Sequence, residues 1–136
     1  MRTYRTMTRE QASQLVRAYA AGIATVVGVD ARQTEIGVNC LACENSLGEF
    51  ADDGRFYVHG VWQMPLPSRE QAATLVRLHD GWAAQGFQIK KFEMFSDAQG
   101  VVMAENPIDE VQLMVDSTVP PTAVAVVVLS ACYRPI

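Results

Sequence analysis

"TAVAVVVLSACY", residues 122–133, runs from Ala123 to Leu129 without a polar side chain. A strand with one wet face shows a polar residue at every second position. Here both parities are apolar, which predicts a strand buried on both sides and therefore interior to its sheet. The run is also about half the roughly 18 residues of a membrane span, so no span is expected.

Three further strand signals precede it, at 87–95, 101–105 and 111–116. The segments between them, "SDAQG", "ENPIDE" and "STVPP", hold the Gly, Pro, Asn and Asp that hairpin connections use. Before this meander, Ser68 and Gln71 have capping-box spacing, and Ala72, Leu75, Val76, Leu78, Trp82 and Ala83 line one helical face. Gly86 stands where a left-handed residue ends a helix, with Phe87 placed to fold back on Trp82.

Upstream, "FYVHGVWQMPL" (56–66) reads as a strand. Phe56, Val58, Trp62 and Met64 share one side; Tyr57, His59, Val61 and Gln63 share the other, and Pro65 and Pro67 end it. A first helix begins at Thr8 with Gln11 as its capping partner. It repeats Ala12, Leu15, Val16, Tyr19, Ile23, Val26 and Val27 along one face and stops at Gly28. Residues 29–55 read as loop, with a short strand where Ile36, Val38 and Cys40 alternate with Gly37 and Asn39.

Strands in series with segregated helices mean an α+β domain. The expected architecture is two helices on one face of an antiparallel sheet of four to five strands, in the order α-β-α-β-β-β-β. Residues 1–7 form an N-terminal arm and 8–136 a single domain.

Eleven basic and fifteen acidic residues give a net charge of −4, and no basic cluster exceeds Lys90–Lys91. That excludes the electrostatic footprint of a nucleic-acid binder. The N-terminus "MRTYRTMTRE" has basic residues but no apolar stretch behind them, so it does not read as a signal peptide. The protein is then cytoplasmic, or its signal has been removed; a lipid anchor requires the second case.

Chemistry-bearing motifs are few. Cys40 and Cys43 form a C-x-x-C, with Cys132 far away. Zinc needs about four convergent ligands, and a redox pair needs a helix start; neither is offered by the following "ENSLGEFADDG". A structural use of the cysteines is the expectation, with no metal and no cofactor. His59 has no carboxylate or nucleophile beside it in sequence, and His79 borders the apolar stripe of the second helix. Glu49, Asp52 and Asp53, like Asp109 and Glu110, lack calcium-loop spacing and read as turn residues. No G-x-S-x-G, P-loop or G-x-G-x-x-G is present.

"LVRLHDGWAAQGFQI", the "NP" turn and "STVPPTAVAVVVLSACYR" resemble a group of small actinobacterial lipoproteins and secreted proteins that have no established activity. The resemblance covers roughly residues 40–134 and is carried by Leu75, Leu78, Trp82, Gly86, Phe87, Cys132 and one cysteine of the Cys40/Cys43 pair. It implies a disulfide between Cys132 and that cysteine. Cys43 stands at the spacing before "GEFADDGRFYV" that those proteins use; Cys40 is the alternative, otherwise a buried free thiol.

If the helices cover one side of the sheet, the other side is either a second small core beneath the 29–55 loop or a partly open surface that can bind. Tyr57, His59, Trp62, Phe92 and Met94 are the contact candidates. The leading expectation is a non-enzymatic binding module of the cell envelope or exterior that recognises a protein or a small apolar ligand. The rivals are a small enzyme with a pocket near His59 and Tyr57, and a cytosolic inhibitor of the immunity type.

Overall fold

The computed structural model describes residues 4–45, 47–49 and 53–136. Asp52, one of the acidic turn residues, lies outside them. The elements are α1 (Arg9–Val27), α2 (Ala31–Thr34), β1 (Glu35–Ala42), β2 (Phe56–Pro65), α3 (Ser68–Ala84), β3 (Gln88–Met94), β4 (Gly100–Glu105), β5 (Gln112–Ser117) and β6 (Ala123–Leu129). All strand pairings are antiparallel, in the order β1-β2-β6-β5-β4-β3. The sheet therefore has six strands rather than four or five. The additional one is β1, legible in sequence only as a short strand around Ile36, Val38 and Cys40, and in the fold an edge strand with largely exposed side chains.

The valine-rich β6 lies between β2 and β5, as expected, but its second apolar side, Ala125, Val127 and Leu129, is half-buried rather than sealed in the core. Val124, Val126 and Val128 are sealed in the core with Phe56, Val58, Trp62 and Met64 of β2, Val102 of β4, and Leu113 and Val115 of β5. Both long helices pack on this face. α1 brings Ala12, Val16, Ala20 and Ile23; α3 brings Leu75, Leu78 and Trp82.

Helix ends follow their local chemistry, with one exception. Thr8 Oγ1 accepts from Gln11 N–H, and Gln11 Oε1 accepts from Thr8 N–H, each at 3.0 Å. Gly28 closes α1 at φ 95°, a region costly for any residue with a Cβ. α3 ends in a Schellman motif, in which Phe87 N–H reaches Trp82 O and Gly86 N–H reaches Ala83 O. The start of α3 departs from the capping-box expectation: Pro67 is the N-cap and no side chain caps it. Gln71 instead points inward, fully buried, and donates to Leu66 O at 3.0 Å and Ala123 O at 3.1 Å. Tying α3 to the start of β6 outweighs closing one helix-end donor that water can reach.

Tyr19 joins α1 to the β4–β5 turn. Its hydroxyl donates to Asp109 Oδ2 at 2.5 Å and accepts from Asn106 Nδ2 at 2.8 Å, while its ring lies 6.4 Å from that of Phe87. Burial, then the bond to Asp109 and its charge, push the phenol up to about 12. Tyr133 is raised too, by burial first and then by Asp109. A pKa raised in the folded state means stability that is complete below the unfolded value near 10 and declines as pH climbs toward 12. Urea titrations at pH 8, 10 and 11 are expected to show this decline. In Tyr19→Phe it should be shallower, with Tyr133 supplying the remainder. An unchanged slope in the variant would show that Tyr19 ionises as freely as in the unfolded chain.

Candidate functional site

Register places the side chains of the face opposite the helices in rows across the sheet. One row runs Val61–Val127–Met114–Met103 over β2, β6, β5 and β4, reaching Lys91 on β3. The neighbouring row is Asn39–His59–Leu129–Gln112–Glu105. On the other side lie Gln63, Ala125, Asp116, Val101 and Glu93. Tyr57 stands at one corner, paired with Leu41. The centre is thus an apolar stripe between polar rows, with Val61, Val127, Met114 and Met103 each half-buried. Neither long helix touches this face, because their contacts are with the core side chains.

The disulfide closes one end of this face. Cys43 and Cys132 are bonded, with Cα atoms 6.3 Å apart. The pairing of β6 with β2 continues past Leu129 through an irregularity at Ser130. Ser130 N–H donates to Val58 O, and Ser130 Oγ accepts from Val58 N–H. Backbone pairing resumes between Tyr133 and Phe56. One extra residue on the β6 side is accommodated, and Cys132 lies within that bulged stretch. Both bonded cysteines, with Tyr4, Glu44, Tyr57, Leu129 and Ser130, line a shallow hollow of about 470 Å3.

Of the residues expected on the open face, Tyr57 and His59 are there, half-buried. Trp62 is not. It is 1% exposed and belongs to the core, as its parity with Phe56 and Val58 requires. Phe92 and Met94 are also on the helix side. They pair across to Val102 and Gly100; Phe92 lies 4.7 Å from the ring of His79, and Met94 packs against the core. A bulge between Ile89 and Lys91 shifts the parity of β3 after its start. That shift defeats any assignment of faces by simple alternation. Met103 and Met114 were missed. The signal was present, since each alternates with core residues: Val102 and Ala104, or Leu113 and Val115.

Cys40, expected to be buried if unpaired, is free and exposed, with Ser13 Oγ 3.9 Å away. His79 Nδ1 sits 2.9 Å from Asp80 Oδ1. Among the described residues His59 has no carboxylate in hydrogen-bond reach; Glu105, in the same row, is three strands away, or about 14 Å. No group of His, Cys, Asp and Glu able to hold a metal ion occurs among the described residues. No helix of the described residues is long and apolar enough to cross a membrane.

Comparison with protein-family models, curated proteins and solved structures finds no match to this chain.

Proposed function

We propose that the protein is a non-catalytic recognition domain of the cell envelope or exterior, and that it captures a protein partner on the open face of its sheet. The observation that carries the reading is the apolar row Val61–Val127–Met114–Met103, left outside the core on a sheet whose other face is helix-covered. Strand spacing and rise give the face about 600 Å2, close to the roughly 800 Å2 each partner contributes to a standard interface. Its flat form suits a protein better than a small molecule. Methionine adapts to irregular partner surfaces, and Tyr57 offers a rigid amphipathic ring at the margin. Glu105 and Asp116, with the Lys91–Glu93 pair at 3.7 Å, leave the rim net acidic and favour a basic counterpart. The Cys43–Cys132 bond supports an oxidising compartment.

Affinity capture from envelope and secreted fractions tests this. A specific partner held by the wild type is expected to be retained at least ten times less well by Tyr57→Ala and by Val127→Lys, with the folded circular dichroism spectrum kept. Retention unaffected by either change would sink the assignment of this face.

A further inference from the structure

We propose that a second site, independent of the open sheet face, binds a small, neutral, largely apolar molecule carrying a hydrogen-bond acceptor. It is the cleft of about 500 Å3 between α1, α2 and the β1–β2 end of the sheet. This volume is within the range of small-molecule sites.

The cleft exists because α1 carries one-carbon side chains, Ala18, Ala21 and Ala24, along the side facing α2. Larger residues there would fill it. Val29 and Ala31 complete the apolar wall, and Trp62 forms the floor. The charged groups at the rim are neutralised in pairs. Arg17 Nε lies 3.0 Å from Glu35 Oε1, and Arg32 Nη2 lies 3.3 Å from Asp30 Oδ2. The rim therefore presents no net charge, which disfavours an ionic ligand.

The floor supplies the second observation. Trp62 is 1% exposed, and its indole N–H has no hydrogen-bond partner among the described residues. Among the described residues, the sealed side-chain polar atoms without a partner are Gln71 Oε1 and the Tyr133 hydroxyl; the Trp62 nitrogen is not one of them. The far edge of the six-membered ring is the part packed over Gly60 and near Val16. A Cβ on Gly60 would lie 2.5 Å from Trp62 Cη2 and 2.8 Å from Val16 Cγ1. We take the opposite, pyrrole edge as the one turned to the cleft that Trp62 lines. A donor left reachable at the floor of an apolar cleft favours a ligand that offers it an acceptor.

Prodan, a neutral naphthalene with one ketone oxygen, is a suitable probe: its absorption overlaps tryptophan emission. It is expected to bind one per chain with blue-shifted emission and with energy transfer from tryptophan. Ala21→Phe, at an exposed helical position, should weaken binding at least tenfold, and Ala18→Phe is the alternative filler should the first variant misfold. Trp62→Phe should weaken binding several-fold while keeping the ring. Val61→Thr with Met114→Gln, on the opposite sheet face, should leave prodan affinity unchanged, which separates this site from the partner surface. Absence of saturable binding, equal affinity in a folded cleft-filling variant, or loss only in the sheet-face variant would overturn the proposal. Full affinity in Trp62→Phe would overturn the role given to the indole N–H.

Discussion

Replacing Cys43 and Cys132 together by serine is expected to lower the unfolding free energy by about 4–5 kcal/mol. The bond spans 89 residues, and in the chain-entropy treatment a crosslink of that length restricts the unfolded ensemble by this amount. A domain of this size has on the order of 5–15 kcal/mol in all, so the variant should be marginal at 25 °C. The loss should be near-global. The bond ties the chain after edge strand β1 to the chain after interior strand β6, two elements with β2 between them. Urea denaturation of the double variant, with a reduced wild-type control, measures it. A loss below about 1 kcal/mol would show that the unfolded chain is already compact, or that native packing alone holds these ends. Peptide mapping without reduction gives the companion result: a peptide joining the Cys43 segment to Cys132, and one alkylatable thiol at Cys40. Three alkylatable thiols in protein isolated from its natural compartment would turn the functional reading toward the cytosolic inhibitor.

Trp62→Ala is expected to cost about 3–5 kcal/mol, the range for removing a large buried aromatic when the surroundings collapse only in part. A solvent-facing contact residue would change stability by less than about 0.5 kcal/mol, so the experiment separates the two placements sharply. Gly60 provides an internal check. It is buried two residues before Trp62 on the same face, and an added Cβ there meets the Trp62 ring at 2.5 Å. Gly60→Ala should therefore destabilise the wild type by overpacking. In a Trp62→Ala background the same substitution has space and should cost far less. A double-mutant cycle showing no coupling between positions 60 and 62 would refute this packing.

Much of this architecture was readable from local pattern. The capping pair Thr8–Gln11, the left-handed stops at Gly28 and Gly86, and the spaced leucines of α3 each act over one or two helical turns. Their outcome depends little on the rest of the chain. The continuous valines of β6 marked it as an interior strand, and it lies between β2 and β5, although Val124, Val126 and Val128 are in the core while Ala125, Val127 and Leu129 stay half-buried on the open face. The face of β2 followed from strict alternation, and Tyr57 and His59 were correctly separated from Phe56 and Val58.

Other features escaped for identifiable reasons. β1 was legible only as a short alternation of Ile36, Val38 and Cys40, and its largely exposed side chains left its full length unmarked. Its place in the sheet is secured by hydrogen bonds to β2, which carry no side-chain signature. Phe92 and Met94 were assigned to the wrong face because the bulge at Ile89/Lys91 shifts the period, and a bulge on an edge strand leaves no mark in composition. Gln71 looked like a capping residue until its competing partners, Leu66 O and Ala123 O, came within reach.

By itself the sequence determined the class of fold, the extent of the two long helices and the interior position of the last strand, all consequences of short-range periodicity, whereas the short α2 lay in a stretch read as loop. Tertiary structure alone decided which side chains lie side by side across strands. It assembled the Val61–Val127–Met114–Met103 row from four separate segments, and it formed the alanine-walled cleft where α1 and α2 diverge above Trp62. The physical reason is that register and helix placement minimise the free energy of the whole core. A surface row or a cleft is what that packing leaves over, and no single segment encodes it.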